Sequence, residues 1–365
     1  MQGFWFGVIA VLWAVFFLLE GFDFGVGILL PYVAHDESDK HIALRSIGPT
    51  WDGNEVWLIV AGGATFAAFP EWYATAFSGF YLPFALLLAG LILRGIGIEY
   101  RERSDTARGR AWCDGAITVG SFLAAVLLGV AFANFVRGVD LDSHHNMTNS
   151  FFSLLNPYAL LGGVVTLTLF VLHGGLFLAL RTIGPVRERA GRATTVIGPV
   201  TAVAGLGFFI WTTQIRGGWV SIVFGIVVVL SVVAAIMAHY RTREGLAFAA
   251  TALATLLVPI WLFAALWPDV LPARNDPALS LTVQAASSSP YTLKVMAIVA
   301  LIFTPMVLIY QGWSYWVFRG RVSDATPGGY RQAVGRTVSR ARDSARHMLG
   351  TGAAERSQPS PPPPT

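Results

Sequence analysis

The chain has 365 residues, of which 55% are hydrophobic and only 13% charged, with a formal net charge of +4. That charge fraction is about half of what a soluble domain carries, so disorder, a secreted scaffold and an ordinary soluble enzyme are excluded. The single cysteine, Cys113, permits neither an intrachain disulfide nor a cysteine metal site.

A hydrocarbon core takes about 20 consecutive apolar residues per helix. Nine such stretches are predicted, at 4–33, 51–70, 76–98, 113–136, 156–181, 194–215, 217–240, 246–267 and 291–318. The fold class is therefore an all-α integral membrane protein. The first span has no basic leader and carries Glu20 and Asp23, so it does not read as a cleaved signal peptide. Residues 1–321 form the membrane domain, and 322–365 read as a basic, Pro-rich, disordered tail. Leu19-Glu20-Gly21 is echoed by Leu172-His173-Gly174, and Ile47-Gly48-Pro49 by Ile197-Gly198-Pro199. The echoes suggest two four-helix bundles, 1–136 and 156–267, with 291–318 as an extra helix.

Lysine and arginine are counted by side to orient the chain. Twenty-one of the 25 fall in the gaps after spans one, three, five and seven, at the inner end of span three, or in the tail. Only Arg137, Arg216, Arg274 and Lys294 fall opposite. This places the N-terminus outside a cell membrane and the C-terminus in the cytoplasm. The basic tail offers a contact for anionic lipid.

Carboxylates inside spans cost at least ~2.5–3.5 kcal/mol each on insertion scales, so they face a protein interior and have a task. Glu20 and Asp23 sit three apart on one helix face, in its inner half. Gly21 and Gly25 beside them let a neighbouring helix come close. Asp52 and Glu55 repeat the spacing at the inner end of span two. Two acid pairs toward one side read as a proton route. The helix dipole alone also accounts for Asp52 and Glu55 in a first turn, and for Asp114 opening span four. An ion pair with Arg94 is the structural account of Glu20 and Asp23. A proton-coupled transporter would use the same acids; it requires a broken helix, for which Gly21–Gly27 is the one candidate stretch.

Only His173, of seven histidines, lies within a span away from its ends. A b-type haem wants two axial side chains, so this chain alone is expected to hold no haem. Adjacent His144 and His145 are a weak metal signal, and no other metal site is expected. Trp313, Tyr315 and Trp316 read as an interfacial belt. No nucleic-acid motif or phosphate loop is present.

Several stretches carry a family resemblance. They are Gly21-Phe22-Asp23-Phe24-Gly25-Val26-Gly27, Trp51-Asp52-Gly53-Asn54-Glu55-Val56-Trp57-Leu58 and Phe77-Ser78-Gly79-Phe80-Tyr81, then Gly129-Val130-Ala131-Phe132, Leu155-Asn156-Pro157, Ser287-Ser288-Ser289 and Gly312-Trp313-Ser314-Tyr315-Trp316. Through them the chain closely resembles subunit II of the cytochrome bd-type quinol oxidases, over nearly its whole length to about Arg321. The resemblance implies nine helices, an outside N-terminus and a bacterial plasma-membrane complex that oxidises quinol and reduces dioxygen to water. It implies that two b-type haems and one d-type haem sit in the partner, subunit I. Small accessory subunits and a bound quinone also occur in the family. Acids matching Asp23 and Asp52 are its candidates for a proton path, which Glu20 and Glu55 extend by position. Trp51, Gly53, Asn54, Trp57, Gly21, Gly25 and Arg94 are expected to frame that path. The long external insert of some relatives is absent, since Gln214–Trp219 is a bare turn.

Overall fold

In the computed structural model, which describes residues 1–322, helix α1 (Gln2–Val33) is the hub. Around and beyond it run α2 (Glu37–Ile47), α3 (Trp51–Ala68), α4 (Pro70–Gly79), α5 (Tyr81–Arg101) and α6 (Ala107–Arg137). Then come α7 (Pro157–Arg181), α8 (Pro185–Ile215), α9 (Trp219–Tyr240), α10 (Glu244–Leu266) and α11 (Pro290–Val317). A small antiparallel hairpin, β1 (Asp269–Leu271) and β2 (Leu281–Thr282), interrupts the last long connection. Except for Val322, the expected tail lies outside the described residues.

Close helix approach explains much of the glycine. At the α1–α7 crossing, a Cβ on Gly25 would lie 1.9 Å from the Phe170 carbonyl oxygen and 2.8 Å from Gly174 Cα. No side chain fits there, so the backbones themselves are in contact, and dispersion replaces the hydrophobic force that lipid does not supply. Helix α1 also packs on α3, α6 and α10, while α7 packs on α6, α8 and α10. Helix α5 lies along α6, and α9 along α10.

Eight of these helices are long and apolar enough to cross a membrane: α1, α5, α6, α7, α8, α9, α10 and α11. The second expected span, α3, is not among them. Its 18 residues open on Asp52, Gly53, Asn54 and Glu55, which dilute its apolar character. Its predicted end at 70 is also corrected. Pro70, lacking an N–H, starts a new helix, α4, and the chain turns again at Phe80 before α5. The amphipathic α2, capped by the Asp36 side chain, lies in a segment read only as a gap. Helix α1 runs unbroken through Gly21–Gly27, which removes the structural requirement of the transporter alternative.

The arginine-rich end is laced by ion pairs. Asp114 pairs with Lys40 at 2.9 Å and Arg101 at 2.5 Å, and Arg187 and Arg321 share Glu244 at 2.7 and 3.0 Å. Asp114 is thus a paired acid in the second turn of α6, not the acid that opens it. Arg181 donates to the carbonyls of Phe318 and Gly320, fastening the end of α11 to α7. At the opposite end, Arg216 meets Asp269 at 3.0 Å and Arg274 meets Asp140 at 2.9 Å. The Arg274 hydrogen bonds hold the Asp140 carboxyl below its usual range. Ser288 ties the start of α11 to the Ala67 and Ala68 carbonyls of α3, and Ser289 caps α11. Between these two fastenings α11 is thinly held. Leu293 is its only buried residue, and α3 is the helix it packs against.

Candidate functional site

The buried polar groups converge where α1, α3 and α5 meet. Glu20 and Asp23 are both 0% exposed, and so is Arg94, which α5 presents to them. Arg94 Nη1 lies 2.7 Å from Glu20 Oε2 and 3.9 Å from Glu55 Oε2. The Arg94 guanidinium also lies 4.9 Å from the centre of the Phe24 ring and 5.6 Å from that of Trp51. A guanidinium is weakly hydrated and tolerates such faces, which suits it to this dry position. The 2.7 Å contact is an ion pair without hydrogen-bond alignment, and both Glu20 oxygens lack an aligned donor.

Asp23 takes a different partner. Asn54, fully buried on α3, donates from Nδ2 to Asp23 Oδ2 at 2.7 Å. The other end of the same amide accepts twice from α11, from Gln311 Nε2 at 3.0 Å and Tyr315 Oη at 2.9 Å. Asp23 Oδ1 is buried and has no hydrogen-bond partner.

The structure therefore joins Glu20, Asp23, Glu55, Asn54, Trp51 and Arg94. It does not join Asp52, which is exposed on the outer face of the first turn of α3. Residues three apart on a helix are offset by about 60°. That offset brings Glu55 round toward Arg94 and leaves Asp52 outside. Trp57 belongs to the apolar core. Gly53 has open space around it, Gly21 abuts Phe170 and Thr255, and Gly25 makes the helix crossing. Gln311 and Tyr315 were missed. Tyr315 was absorbed into the aromatic belt, and the available signal for Gln311 was a lone amide in an apolar span.

The one histidine deep within a span has its ring nitrogens occupied. His173 is fully buried, with Nδ1 2.9 Å from Thr251 Oγ1 and Nε2 3.2 Å from the Leu18 carbonyl oxygen. Both ring nitrogens are engaged, and the ring stacks on Phe248. It is a hydrogen-bonded core histidine. His145 meets Glu71 at 2.6 Å in the loop region, and no group of three metal-ligating side chains forms among the described residues.

The sequence profile of the family described as cytochrome bd terminal oxidase subunit II matches residues 1–318. The chain belongs to that family. It is 38% identical to "Cytochrome bd ubiquinol oxidase subunit 2" of Bacillus subtilis (strain 168), over 89% of this chain and 98% of the relative. It is 34% identical to "Cytochrome bd-I ubiquinol oxidase subunit 2" of Escherichia coli (strain K12), over 87% and 94%. A chain of the bd oxidase from Geobacillus thermodenitrificans superposes with a TM-score of 0.71 over 87% of this chain and 96% of that one. At 16% identity that likeness is one of fold alone. As subunit II, the chain is a multi-pass membrane component of a bacterial quinol oxidase complex, and its designation implies a partner, subunit I.

Proposed function

We propose that this subunit II supports a haem-bearing subunit I, in a complex that oxidises quinol and reduces dioxygen to water, and supplies it with protons from the cytoplasm. One observation carries the proton role. Two fully buried carboxyls and a third at their edge have one guanidinium among them, Arg94, which pairs with Glu20 and stands 3.9 Å from Glu55 while Asp23 is held by Asn54. Ionised together they would leave uncompensated negative charge in a dry interior, at a cost of several kcal/mol. A proton held on one of them restores neutrality, so the cluster is built to hold and release a proton. The 2.7 Å pair gives Glu20 and Arg94 a fixed, structural part. Asp23, held by the neutral Asn54 amide rather than by an ion pair, is the group that changes protonation. Glu55, half-exposed beside Arg94, receives protons, and Asp52 collects them at the surface of the same helix turn.

In the same reading α3 is the ninth span, completed against lipid by its partner helices. The N-terminus lies outside, and the arginine-rich end faces the cytoplasm. The pairings of α1 with α3 and α6, and of α5 with α6, recur as α7 with α8 and α10, and α9 with α10, which supports two halves, although α8 packs on α9 more closely than α3 does on α5. The two b-type haems and the d-type haem belong to subunit I, and the engaged ring of His173 supports that assignment. Small accessory subunits, a bound quinone and anionic lipid at the basic tail complete the expected assembly.

The test uses the whole oxidase, with its haem spectrum as the measure of assembly. Asp23→Asn and Glu55→Gln should slow oxygen consumption while the spectrum and the KM for quinol stay unchanged. Asp52→Asn should act more weakly. Full turnover in both Asp23→Asn and Glu55→Gln would sink the proton role. Loss of assembly in both would make these acids purely structural.

A further inference from the structure

We propose that the Asn54 side chain is a two-position amide that turns over as Asp23 gains and loses its proton, with Tyr315 and Gln311 of α11 setting its orientation. The inference rests on the proton role proposed above and names the positioning residues of that path.

Donor and acceptor bookkeeping carries the argument. Every hydrogen bond in the buried chain points the same way. The Tyr315 hydroxyl and the Gln311 amide donate to Asn54 Oδ1, and Asn54 Nδ2 donates to Asp23 Oδ2. This polarity presents N–H to Asp23 and so favours the carboxylate. When Asp23 takes a proton, its O–H becomes a donor. An amide turned by half a rotation then offers Oδ1 to that O–H and Nδ2–H to α11. Each remaining member can reverse. The Tyr315 oxygen can accept from Asn54 Nδ2 while its own O–H turns to the Thr50 hydroxyl beside it, and the Gln311 amide exposes its own oxygen on turning. The proton that comes and goes is carried by Asp23 alone, and no covalent bond other than its O–H forms or breaks. Asn54 conducts nothing; it stabilises each protonation state in turn.

Burial makes the choice of polarity consequential. Asn54 and Asp23 are both 0% exposed, so no solvent is at hand to satisfy a mismatched pair. Two donors or two acceptors facing each other there would cost ~1–3 kcal/mol. The link also involves the least embedded helix. Near its start α11 is held by Leu293, whose carbonyl accepts from Trp5 Nε1, and toward its end it reaches the buried polar cluster through Gln311 and Tyr315.

The experiment compares Tyr315→Phe, Asn54→Leu and Asp23→Asn in the assembled oxidase. Tyr315→Phe removes one oxygen and keeps the ring, so it tests the link even where Asn54→Leu fails to assemble. Expected are a fall in turnover of about tenfold in Asn54→Leu, and less in Tyr315→Phe, with the KM for quinol unchanged. The solvent deuterium isotope effect should rise in both. The infrared band of the protonated carboxyl, identified by its loss in Asp23→Asn, should move in Tyr315→Phe. If Asp23→Asn slows turnover but Tyr315→Phe leaves turnover, isotope effect and band unchanged, the amide switch is overturned and the proton path stands. If Asp23→Asn itself has full turnover, the path and the switch fall together.

Discussion

Removing Arg94 should be the most damaging single change in the membrane interior. Arg94→Met deletes the one cation that serves the fully buried Glu20 and Asp23. At 2.7 Å and an effective dielectric near 20, the Glu20–Arg94 attraction alone is about 6 kcal/mol before desolvation is counted. Most of that offsets the cost of drying both ions, so the pair adds little net stability. The asymmetry appears on breaking it, because a lone buried carboxylate has no compensation and the loss is about 3–5 kcal/mol. The thermal midpoint of the detergent-solubilised oxidase, followed by its haem absorbance, reports this. Arg94→Met should fall well below the wild type, and Glu20→Leu combined with Arg94→Met should recover most of the difference. A double variant no more stable than Arg94→Met, or a single variant as stable as wild type, would refute the charge-compensation argument.

Gly25→Ala should disrupt the α1–α7 crossing by about 3 kcal/mol, since its Cβ would meet the Phe170 carbonyl oxygen at 1.9 Å. Gly62→Ala, with nothing within 4 Å, should be neutral or slightly stabilising in the same thermal assay. The outer clasp between Asp140 and Arg274 should weaken in acid. Because the Asp140 carboxyl is depressed in the folded chain, its contribution is complete above about pH 3.9 and is lost as pH falls through the depressed value. For a pair this exposed the loss is under ~1 kcal/mol, read as faster amide exchange of Leu141 and Thr148 after correction for intrinsic rates. Orientation is tested by thiol labelling, for which the buried Cys113 is a silent background. An impermeant reagent should label Ser143→Cys in intact cells and spare Asp105→Cys; the reverse pattern would invert the proposed topology.

The acids of α1 were legible because a carboxyl in an apolar run is too costly to be incidental, and their local sequence announces it. Arg94 was legible for the same reason. The partnership of Asp23 with Asn54, rather than with Arg94, was not. Helical phase assigns a residue to a face but does not say which neighbour comes to that face. Asp52 and Glu55 show the limit most clearly, as equal spacing to a common face became separate environments through the offset between them. Tyr315 and Gln311 depend on contacts with α3 from far along the chain, which no local pattern encodes. Helix boundaries failed where a punctuating residue lay inside an apolar run, as Pro70 does. The amphipathic α2 is only 11 residues long and opens on charged residues, so it carries no apolar run of the kind that marks a span.

The meeting of Glu20 with Arg94 also bears on how the chain is made. Helix α1 is made before α5 and carries two carboxyls whose insertion costs ~2.5–3.5 kcal/mol each. The compensating guanidinium arrives only with α5. Until then α1 has no cation to face within the bilayer, and it holds a poor position there alone. The Glu20–Arg94 contact therefore makes the settled position of α1 depend on α5, a helix that three others separate from it in the chain.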